Sequence, residues 1–378
     1  MKKLGIITYF YYFNYGTMLQ GFALQHAIEK FLNSDDKVEL IDYRFAEKKI
    51  SKIELIRIRI RRFFIYFTQI KKILRLTKYK NEQNLRKPIF IKFAKENVHL
   101  TNKTYYYCQD LMQDPPLYDI YITGSDQTWS PKIGFNDALF LKFAPKGRIR
   151  AAYAPSIGVA SLTPEEEDYL TKNLAAYEFL SCREDYGSKI LSKLSGQEVT
   201  TVLDPTLLMT AEDWRKVAIR PQIEGKYILC YFLGDRQYYR KFVTQLGKQL
   251  KTQIYYIPVS YQDMSNKNNL LWEIGPREFL GLIDNASVVC TDSFHGMAFC
   301  TNLNKTFYGF VKHRGAKAGD NSRIYDFLDR MGLRKRLITE YKGEIINFED
   351  IDFKETNIRL EKERVVSDNF LKRIIGKD

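Results

Sequence analysis

The sequence has few cysteines and lacks the motifs of several common protein classes. No apolar run is long enough to span a bilayer. Residues 1–3 lead directly into a short strand-like run, so we expect no secretory signal peptide. No GxGxxG follows the first predicted strand, which disfavours a dinucleotide-dependent oxidoreductase, and no GxxxxGKS or GxxxxGKT indicates a nucleoside triphosphatase. The five cysteines form no CxxC pair, and we interpret them as reduced, mostly buried thiols of a cytoplasmic protein. They are Cys108, Cys182, Cys230, Cys290 and Cys300.

The remaining composition is that of an ordinary soluble enzyme. Hydrophobic residues make up 45% of the chain and aromatic residues 14%, which excludes an intrinsically disordered protein. Single hydrophobic cores seldom grow beyond ~250 to 300 residues. A chain of 378 residues is therefore expected to form two domains.

Nearly all of the net charge of +14 comes from one segment, residues 44–92. This segment contains sixteen Lys or Arg and three Glu, a net charge of +13. Its apolar residues recur at three- and four-residue spacing, which predicts a basic amphipathic helix. They are Ile53, Ile56, Ile60, Phe63, Phe64, Phe67, Ile70, Ile73 and Leu74.

Two interpretations of this basic segment remain open. It is either a helix that lies on an anionic membrane surface or a helix packed on the core with a solvated basic face. Nucleic acid is not expected as a partner, because nothing in the sequence resembles a nucleic-acid recognition fold.

Strand-like and helical patterns alternate along the chain, which predicts an α/β fold with parallel sheets. The first helix is expected at 17–32 and a last helix at 354–375. The predicted strands are 4–8, 38–43, 118–123, 148–154, 179–183, 200–203, 227–233, 253–258, 287–291 and 306–310.

These elements divide into two Rossmann-like domains that face each other across a cleft. We assign residues 1–208 to the first domain, with the basic segment 44–92 inserted in it, and residues 209–345 to the second. Residues 346–378 form a helical segment that is expected to pack back on the first domain.

The segment 287–310 places a histidine where α/β folds bind anions. A β-branched strand ends at Thr291, and Asp292 or Ser293 is positioned to cap the helix that follows. The free amides of that helix then face the crevice at the carboxyl end of the strand. His295 in this position is a candidate acid or base. The alternative is a histidine that only caps or packs.

Seven ordered blocks between residues 5 and 324 resemble the polysaccharide pyruvyl transferase family. The most specific is TDSFHGMAF at 291–299. The others are NYGTMLQ at 14–20 with ALQ at 23–25, GSDQ at 124–127 with Trp129, APSIG at 154–158, SCRE at 181–184, DPTLL at 204–208 and NSRI at 321–324.

The resemblance implies the GT-B type of fold and a defined reaction. The family transfers a pyruvyl group from phosphoenolpyruvate to two hydroxyls of a sugar, which forms a cyclic ketal and releases phosphate. No metal or further cofactor is expected. Family members act on cell-surface polysaccharides. With the basic segment, this implies a lipid-linked acceptor and a peripheral position on the inner face of the membrane.

Within this reaction His295 is the candidate for proton transfer. Arg183 and Arg323 are the candidates for holding the donor, since a guanidinium binds carboxylate or phosphate in bidentate fashion. The alternative for each arginine is a salt bridge with a neighbour such as Glu184 or Asp326. The basic run 312–314 either gathers anions or only adds solubility.

The remaining candidates for substrate contact lie in the same blocks. Sugar hydroxyls favour carboxylate and amide partners, and Trp129 either stacks on a sugar or fills the core. Turn formation or helix capping is the alternative role for Asn14, Gly16 and Asp126, and Asp204 is expected to fix the chain at the domain junction. The candidates are Ser293, Phe294, Gly296, Asn14, Gly16, Asp126 and Gln127.

Two other functions compete with this interpretation. A glycosyltransferase of GT-B type with a nucleotide-sugar donor would share the architecture, and 350–352 reads Asp-Ile-Asp, a weak match to the DxD of metal-dependent glycosyltransferases. A non-catalytic membrane-binding scaffold would explain the basic segment but not the ordered blocks.

Overall fold

The computed structural model describes residues 1–10, 13–44, 84–234, 236–259, 269–312 and 321–377. The apolar residues of the predicted basic helix, between 53 and 74, lie outside these ranges. His313 and Arg314 also lie outside them.

The first half of the chain builds a sheet of six parallel strands. Its core strands are almost wholly apolar and buried, as expected when helices cover both faces of a parallel sheet. The strand order is β2-β1-β3-β4-β5-β6. The strands are β1 (Lys3–Ile7), β2 (Lys37–Leu40), β3 (Ile120–Thr123), β4 (Ile149–Ala152), β5 (Phe179–Cys182) and β6 (Val199–Thr201).

The second half builds a separate sheet of five parallel strands in the order β11-β10-β9-β7-β8. The sequence predicted every strand of the two sheets except β11, whose two residues are too few to show a period. The strands are β7 (Tyr227–Tyr231), β8 (Gln253–Tyr256), β9 (Val288–Thr291), β10 (Phe307–Phe310) and β11 (Leu337–Ile338). The predicted α/β fold with parallel sheets is confirmed.

Eleven helices are present in the described ranges, and none of them is long and apolar enough to cross a membrane. The last has the predicted bounds. The helices are α1 (Tyr15–Glu29), α2 (Arg86–Asn97), α3 (Cys108–Gln113), α4 (Pro164–Leu174), α5 (Asp185–Ser195), α6 (Ala211–Val217), α7 (Gln237–Leu250), α8 (Pro276–Asn285), α9 (Phe294–Asn302), α10 (Ser322–Arg330) and α11 (Lys354–Ile375).

Helix α1 lies between the two halves and is buried on all sides. It packs on β2 of the first sheet and on α8 and α9 of the second half. The ring of Tyr15 stacks on Phe279 with centroids 4.4 Å apart, and its hydroxyl donates to the carbonyl of Ile274. An interface this apolar holds the first turn of α1 against the second half.

Helix α11 returns across both halves. Ser367 accepts a hydrogen bond from the amide of Leu203, and Lys2 donates to the carbonyl of Ile375. Arg364 donates both to the carbonyl of Leu207 and to the side chain of Asn302 in α9. These contacts connect the end of the chain to the start of the first sheet and to the helix of the candidate histidine.

Candidate active site

A cavity of about 370 Å³ opens between the two halves, at the carboxyl ends of both sheets. Its lining comes from the segments that follow β1, β3, β7, β9 and β10, and from the first turn of α10. Most of the predicted site residues therefore meet in one place, as expected for a crevice of this type. The lining residues are Tyr9, Asn14, Thr17, Asp126, Gln127, Ile133, Leu233, Ser293, Phe294, His295, Lys312 and Arg323.

The helix α9 points its amino end at this cavity. Ser293 is the N-cap, and its hydroxyl accepts a hydrogen bond from the amide of Gly296 at 3.3 Å. The first amides of a helix lack intrahelical acceptors, and the helix dipole makes this end positive. Because Ser293, Phe294 and His295 line the cavity, this end of α9 is available to an anion.

The side chain of Asp292 does not cap α9. Its carboxylate accepts hydrogen bonds from the amides of Leu233 at 2.6 Å and Gly234 at 2.8 Å, and so fixes the loop after β7. Burial raises the pKa of Asp292, although the positive charge of Lys312 and these amides act against it.

His295 is buried between the two halves of the chain. Its ring lies on Gly16 of α1, where an added Cβ would be 2.1 Å from Nδ1 and 2.2 Å from Cγ. On its other side Nε2 is 3.4 Å from Oδ2 of Asp204. At this distance the pair interacts electrostatically, without the geometry of an aligned hydrogen bond. Both contacts come from the first half, whereas His295 belongs to the second.

Asp204 is a fully buried carboxylate that accepts four hydrogen bonds. Its Oδ1 accepts from the amide and hydroxyl of Thr206, at 3.0 and 2.7 Å. Its Oδ2 accepts from Arg183 Nη1 at 2.8 Å and from Ser125 Oγ at 3.2 Å. Burial alone would raise the pKa of Asp204, but the charges of His295 and Arg183 outweigh burial and hold that pKa well below its usual range.

Arg183 lies behind the cavity and is not part of its lining. It pairs with Asp204, its Nε is 3.7 Å from Oε1 of Glu184, and its guanidinium carbon is 4.2 Å from the ring centroid of Phe294. Only 2% of its side chain is exposed. The structure thus places Arg183 in a buried ion-pair network under Phe294, the arrangement that the sequence left open as its alternative.

Two cations do face the cavity. Arg323 in the first turn of α10 and Lys312 after β10 are both half-buried, and no described carboxylate lies within ion-pair distance of either charged group. Burial and the charge of Arg183 lower the pKa of Arg323. Burial lowers the pKa of Lys312 to about 8, against the attraction of Asp292. An anion in the cavity would find two cations that pair with no carboxylate of the described ranges.

The wall of the cavity that the first half forms, opposite these two cations, is polar. Asp126 has a backbone φ of 72°, which is uncommon outside glycine, and its Oδ2 accepts a hydrogen bond from Thr17 Oγ1 at 2.8 Å. Burial alone would raise the pKa of Asp126, but the charges of His295 and two arginines hold it below its usual value. Gln127 and Asn14 line the cavity beside it, and Asn14 also caps α1.

The two candidate glycines have packing roles. Because Gly16 has no side chain, the ring of His295 packs directly on α1. An added Cβ at Gly296 would lie 2.6 Å from Thr291 Oγ1, so this glycine allows α9 to pack closely on β9. Neither glycine lines the cavity.

Other candidates are remote from the cavity. Trp129 fills the core, where it stacks on Phe140 and donates to the carbonyl of Leu139. Asp350 accepts from the hydroxyl of Thr306, and Asp352 accepts from the amide of Lys354. In the described ranges no cluster of His, Cys, Asp and Glu is arranged to hold a metal ion.

Sequence reasoning missed the proximity of Asp204 to His295 and left the role of Lys312 open. The position of Lys312 just after a parallel strand was the available signal, since ligand-binding residues collect there. For Asp204 the following proline favoured a turn interpretation. Thr17 was also missed, because a threonine in the first turn of a helix usually only caps it.

A known structure shows the same architecture. The S. aureus MnaA–UDP co-structure matches with a TM-score of 0.52 at 10% identity, over 100% of this chain and 91% of that chain. At this identity the match shows the fold alone, the GT-B type. A putative UDP-N-acetylglucosamine 2-epimerase from Listeria monocytogenes has a TM-score of 0.49 at 10% identity, over 98% of this chain and 90% of that chain. The E. coli heptosyltransferase WaaC with ADP-2-deoxy-2-fluoro heptose has a TM-score of 0.37 at 12% identity, over 86% of this chain and 99% of that chain.

No curated protein is significantly similar to the chain in sequence. The family model described as polysaccharide pyruvyl transferase, however, matches residues 14–313, most of the sequence. This range includes all of the cavity-lining residues except Tyr9 and Arg323. The chain therefore belongs to the polysaccharide pyruvyl transferase family and is a transferase.

Proposed function

We propose that the protein transfers a pyruvyl group from phosphoenolpyruvate to two hydroxyls of one sugar residue, forming a cyclic ketal and releasing phosphate. The observation that carries the proposal is a set of positive groups around one cavity. Lys312, Arg323 and the amino end of α9 face the space beside His295, and no carboxylate in the described part of the chain pairs with either cation.

The donor is a small, highly charged anion. Phosphoenolpyruvate carries a phosphate and a carboxylate a few bonds apart, so its binding site needs two adjacent positive groups. Arg323 offers a bidentate fork, Lys312 a single ammonium, and α9 its free amides. Burial of these groups in a cavity strengthens their attraction for the anion relative to water.

The chemistry then needs one group that both gives and takes protons. Protonation of the enol carbon C3 makes C2 electrophilic, and the first sugar hydroxyl adds to C2 while its proton leaves. The C2–O bond to phosphate then breaks, and the second hydroxyl adds with loss of its own proton. Of the two hydroxyl protons, one replaces the proton given to C3 and the other leaves with phosphate. His295 lines the cavity beside its positive end and serves as acid and then as base.

The acceptor sugar is assigned to the wall built by the first half. Asp126, Gln127 and Asn14 present a carboxylate and two amides to the cavity, and such groups bind sugar hydroxyls. Asp126 is fixed by Thr17 and by its own left-handed backbone, so it has a defined direction. This wall would orient the two hydroxyls toward C2 of the donor.

A lipid-linked oligosaccharide at the inner membrane face is the acceptor that the sequence favours. The segment 44–92 carries a net charge of +13, which suits a surface of anionic lipids. Its last residues, from Arg86 onward, form the first part of α2, and Arg86 donates hydrogen bonds to the carbonyls of Leu271 and Trp272 in the second half.

Binding experiments separate this proposal from a nucleotide-sugar transferase. Calorimetry with phosphoenolpyruvate, UDP and ADP should show binding of phosphoenolpyruvate alone, and Arg323→Met should weaken that binding. Incubation with phosphoenolpyruvate and a panel of lipid-linked and free oligosaccharides should then release phosphate with one acceptor. Tight binding of UDP or ADP without binding of phosphoenolpyruvate would contradict the proposal.

A further inference from the structure

Asp204 and His295 come from different halves of the chain and meet under the cavity. Asp204 follows β6 of the first sheet, whereas His295 is in the first turn of α9 beside the second sheet. Oδ2 of the carboxylate is 3.4 Å from Nε2 of the imidazole. The exposed fraction of the Asp204 side chain is zero, so no solvent competes for this carboxylate.

The carboxylate is held rigidly and stays ionised. Both Thr206 donors fix Oδ1, while Arg183 and Ser125 fix Oδ2. Arg183 is itself buried and paired with Glu184, so its charge remains beside Asp204. A carboxylate that is fixed by four hydrogen bonds can orient a neighbouring ring, as buried carboxylates do for catalytic histidines in other enzymes.

The ring of His295 has little freedom to turn. Its Cγ and Nδ1 edge lies on Gly16, and Phe294 meets it edge to face at 87°. Nε2 is buried and faces Asp204. Thr17, which directly follows Gly16, lines the cavity, and so does Asn14, two residues before Gly16. Nε2 is among the buried polar atoms without a hydrogen-bond partner and Nδ1 is not, so Nδ1 is the ring nitrogen on the side of the cavity.

We infer that Asp204 is a positioning residue that keeps the proton on Nε2 of His295 and thereby makes Nδ1 the atom that exchanges protons with the substrates. This inference rests on the proposed function of His295. In the acid step, the proton on Nδ1 of the imidazolium forms the new C–H bond at C3 of the donor, and the ring is left neutral with its proton on Nε2. In the base step, Nδ1 takes the proton of the sugar hydroxyl. Asp204 neither gains nor loses a proton in either step.

A consequence is that the first half of the chain orients the catalytic group of the second. The carboxylates beside His295 are Asp204 and Asp126, both from the first half, with Arg183 behind Asp204. Separation of the halves would remove both the carboxylate and the Gly16 surface from the ring.

Nitrogen NMR of the full chain tests the tautomer directly. In protein labelled with ¹⁵N-histidine, comparison with His295→Gln identifies the signals of His295 among the four histidines. Under conditions where the ring is neutral, the wild type should show the proton on Nε2. A neutral form with the proton on Nδ1 would overturn the inference, and this arm requires no variant of Asp204.

Asp204→Asn is the second arm. It should populate the other tautomer, lower kcat for phosphate release about 100-fold or more, and change the dissociation constant of phosphoenolpyruvate less than about twofold. Asp42→Asn, which alters another buried aspartate paired with an arginine, should leave the tautomer and kcat unchanged. An unchanged tautomer in folded Asp204→Asn would overturn the inference. If the wild type releases no phosphate from phosphoenolpyruvate, the proposed function fails. The NMR measurement of the His295 tautomer still tests the role of Asp204 in that case.

Discussion

Gly16 lies so close to the imidazole of His295 that no side chain fits between them. An added Cβ would lie 2.1 Å from Nδ1 and 2.5 Å from the Cβ of His295. The two residues belong to opposite halves of the chain, so the first turn of α1 forms the surface on which the candidate catalytic ring rests. The site is therefore a property of the docked halves rather than of either half alone.

Gly16→Ala should disturb His295 without loss of the fold. Alanine favours a helix over glycine by about 1 kcal/mol, which offsets part of the steric cost. The displaced ring should lower turnover about 100-fold, the effect of a 1 Å misplacement. Turnover and thermal unfolding are the measurements. Gly247→Ala in α7 is the control, because it also adds a Cβ in a helix but meets only the side chain of Ile254 and the carbonyl of Thr252.

His295→Gln should remove proton transfer and preserve binding. Glutamine is similar in size and hydrogen bonds, but it does not titrate near neutral pH. Since general acid–base catalysis contributes about 10² to 10⁴ in rate, turnover should fall by that factor and one ionisation should disappear from the pH–rate profile. The dissociation constant of phosphoenolpyruvate should stay close to the wild-type value.

The opposite pattern would identify a structural histidine. In that case His295→Gln would melt earlier than the wild type, and the folded fraction would turn over at a near-normal rate. His99→Gln is a suitable control, since His99 is exposed and pairs with Glu29 outside the cavity.

Lys312 should make donor binding depend on pH. Its pKa in the free protein is about 8, and the anion binds the charged ammonium. That charge is present below this pKa and is lost as the pH rises through it. The dissociation constant of phosphoenolpyruvate should therefore be roughly tenfold larger at about pH 9 than at about pH 7. Calorimetry at several pH values measures this change.

Two substitutions isolate the contribution of Lys312. Lys312→Arg keeps its charge in this range, so the alkaline loss of affinity should disappear. Lys312→Met should weaken binding at every pH. A wild-type dissociation constant that stays flat between about pH 7 and pH 9 would refute the assigned role.

Arg183 and Arg323 should respond differently to loss of charge. Arg183→Met leaves Asp204 buried with fewer partners and should destabilise the fold by about 3 to 5 kcal/mol. Arg323→Met breaks no ion pair in the described chain, so the free energy of unfolding of this variant should differ little from that of the wild type. Donor affinity should instead fall about 10- to 100-fold, the value of a lost charge-assisted hydrogen bond. Urea unfolding and calorimetry measure the two quantities.

The reverse result would exchange their roles. If Arg183→Met remained stable and lost donor affinity while Arg323→Met bound normally, the buried arginine would be the donor ligand. The sequence alone gave no way to choose between these assignments.

The basic segment should carry membrane binding. Changing Arg57, Arg59, Arg61 and Arg62 to Gln should reduce cosedimentation with anionic vesicles, because each basic residue near such a surface contributes about 1 kcal/mol. Turnover of a soluble acceptor should stay near the wild-type rate. Undiminished sedimentation would remove the membrane assignment.

An equal change of charge elsewhere controls for net charge alone. Lys193, Lys226, Lys241 and Lys248 are exposed lysines of the described chain. Their joint replacement by Gln removes four positive charges outside the basic segment. This variant should sediment with vesicles like the wild type.

Much of the fold could be predicted from the sequence because it depends on local pattern. Buried parallel strands appear as apolar β-branched runs, and β9 and β10 are found within a residue of their expected bounds. The same rule predicted that His295 would lie at the carboxyl end of a strand. Site residues that directly follow a strand can be predicted from the sequence by this rule.

The remainder depends on how the halves dock, which no local pattern records. The sequence gives Asp204 as an aspartate before a proline, and only the docked halves bring it to His295. Arg183 follows a strand as a ligand-binding residue would, yet Asp204 and Glu184 hold it beneath Phe294. In the sequence Gly16 resembles a turn glycine, and only the docked halves bring the ring of His295 against it.

The most direct test of the account is the fate of ¹³C-labelled phosphoenolpyruvate. With its acceptor, the wild type should place the labelled C2 in the product as a ketal carbon bonded to two sugar oxygens, with release of one inorganic phosphate per ketal. His295→Gln should form this product at most at about 1% of the wild-type rate. An unlabelled acceptor, or a sugar transferred from a nucleotide donor in the same assay, would contradict the account.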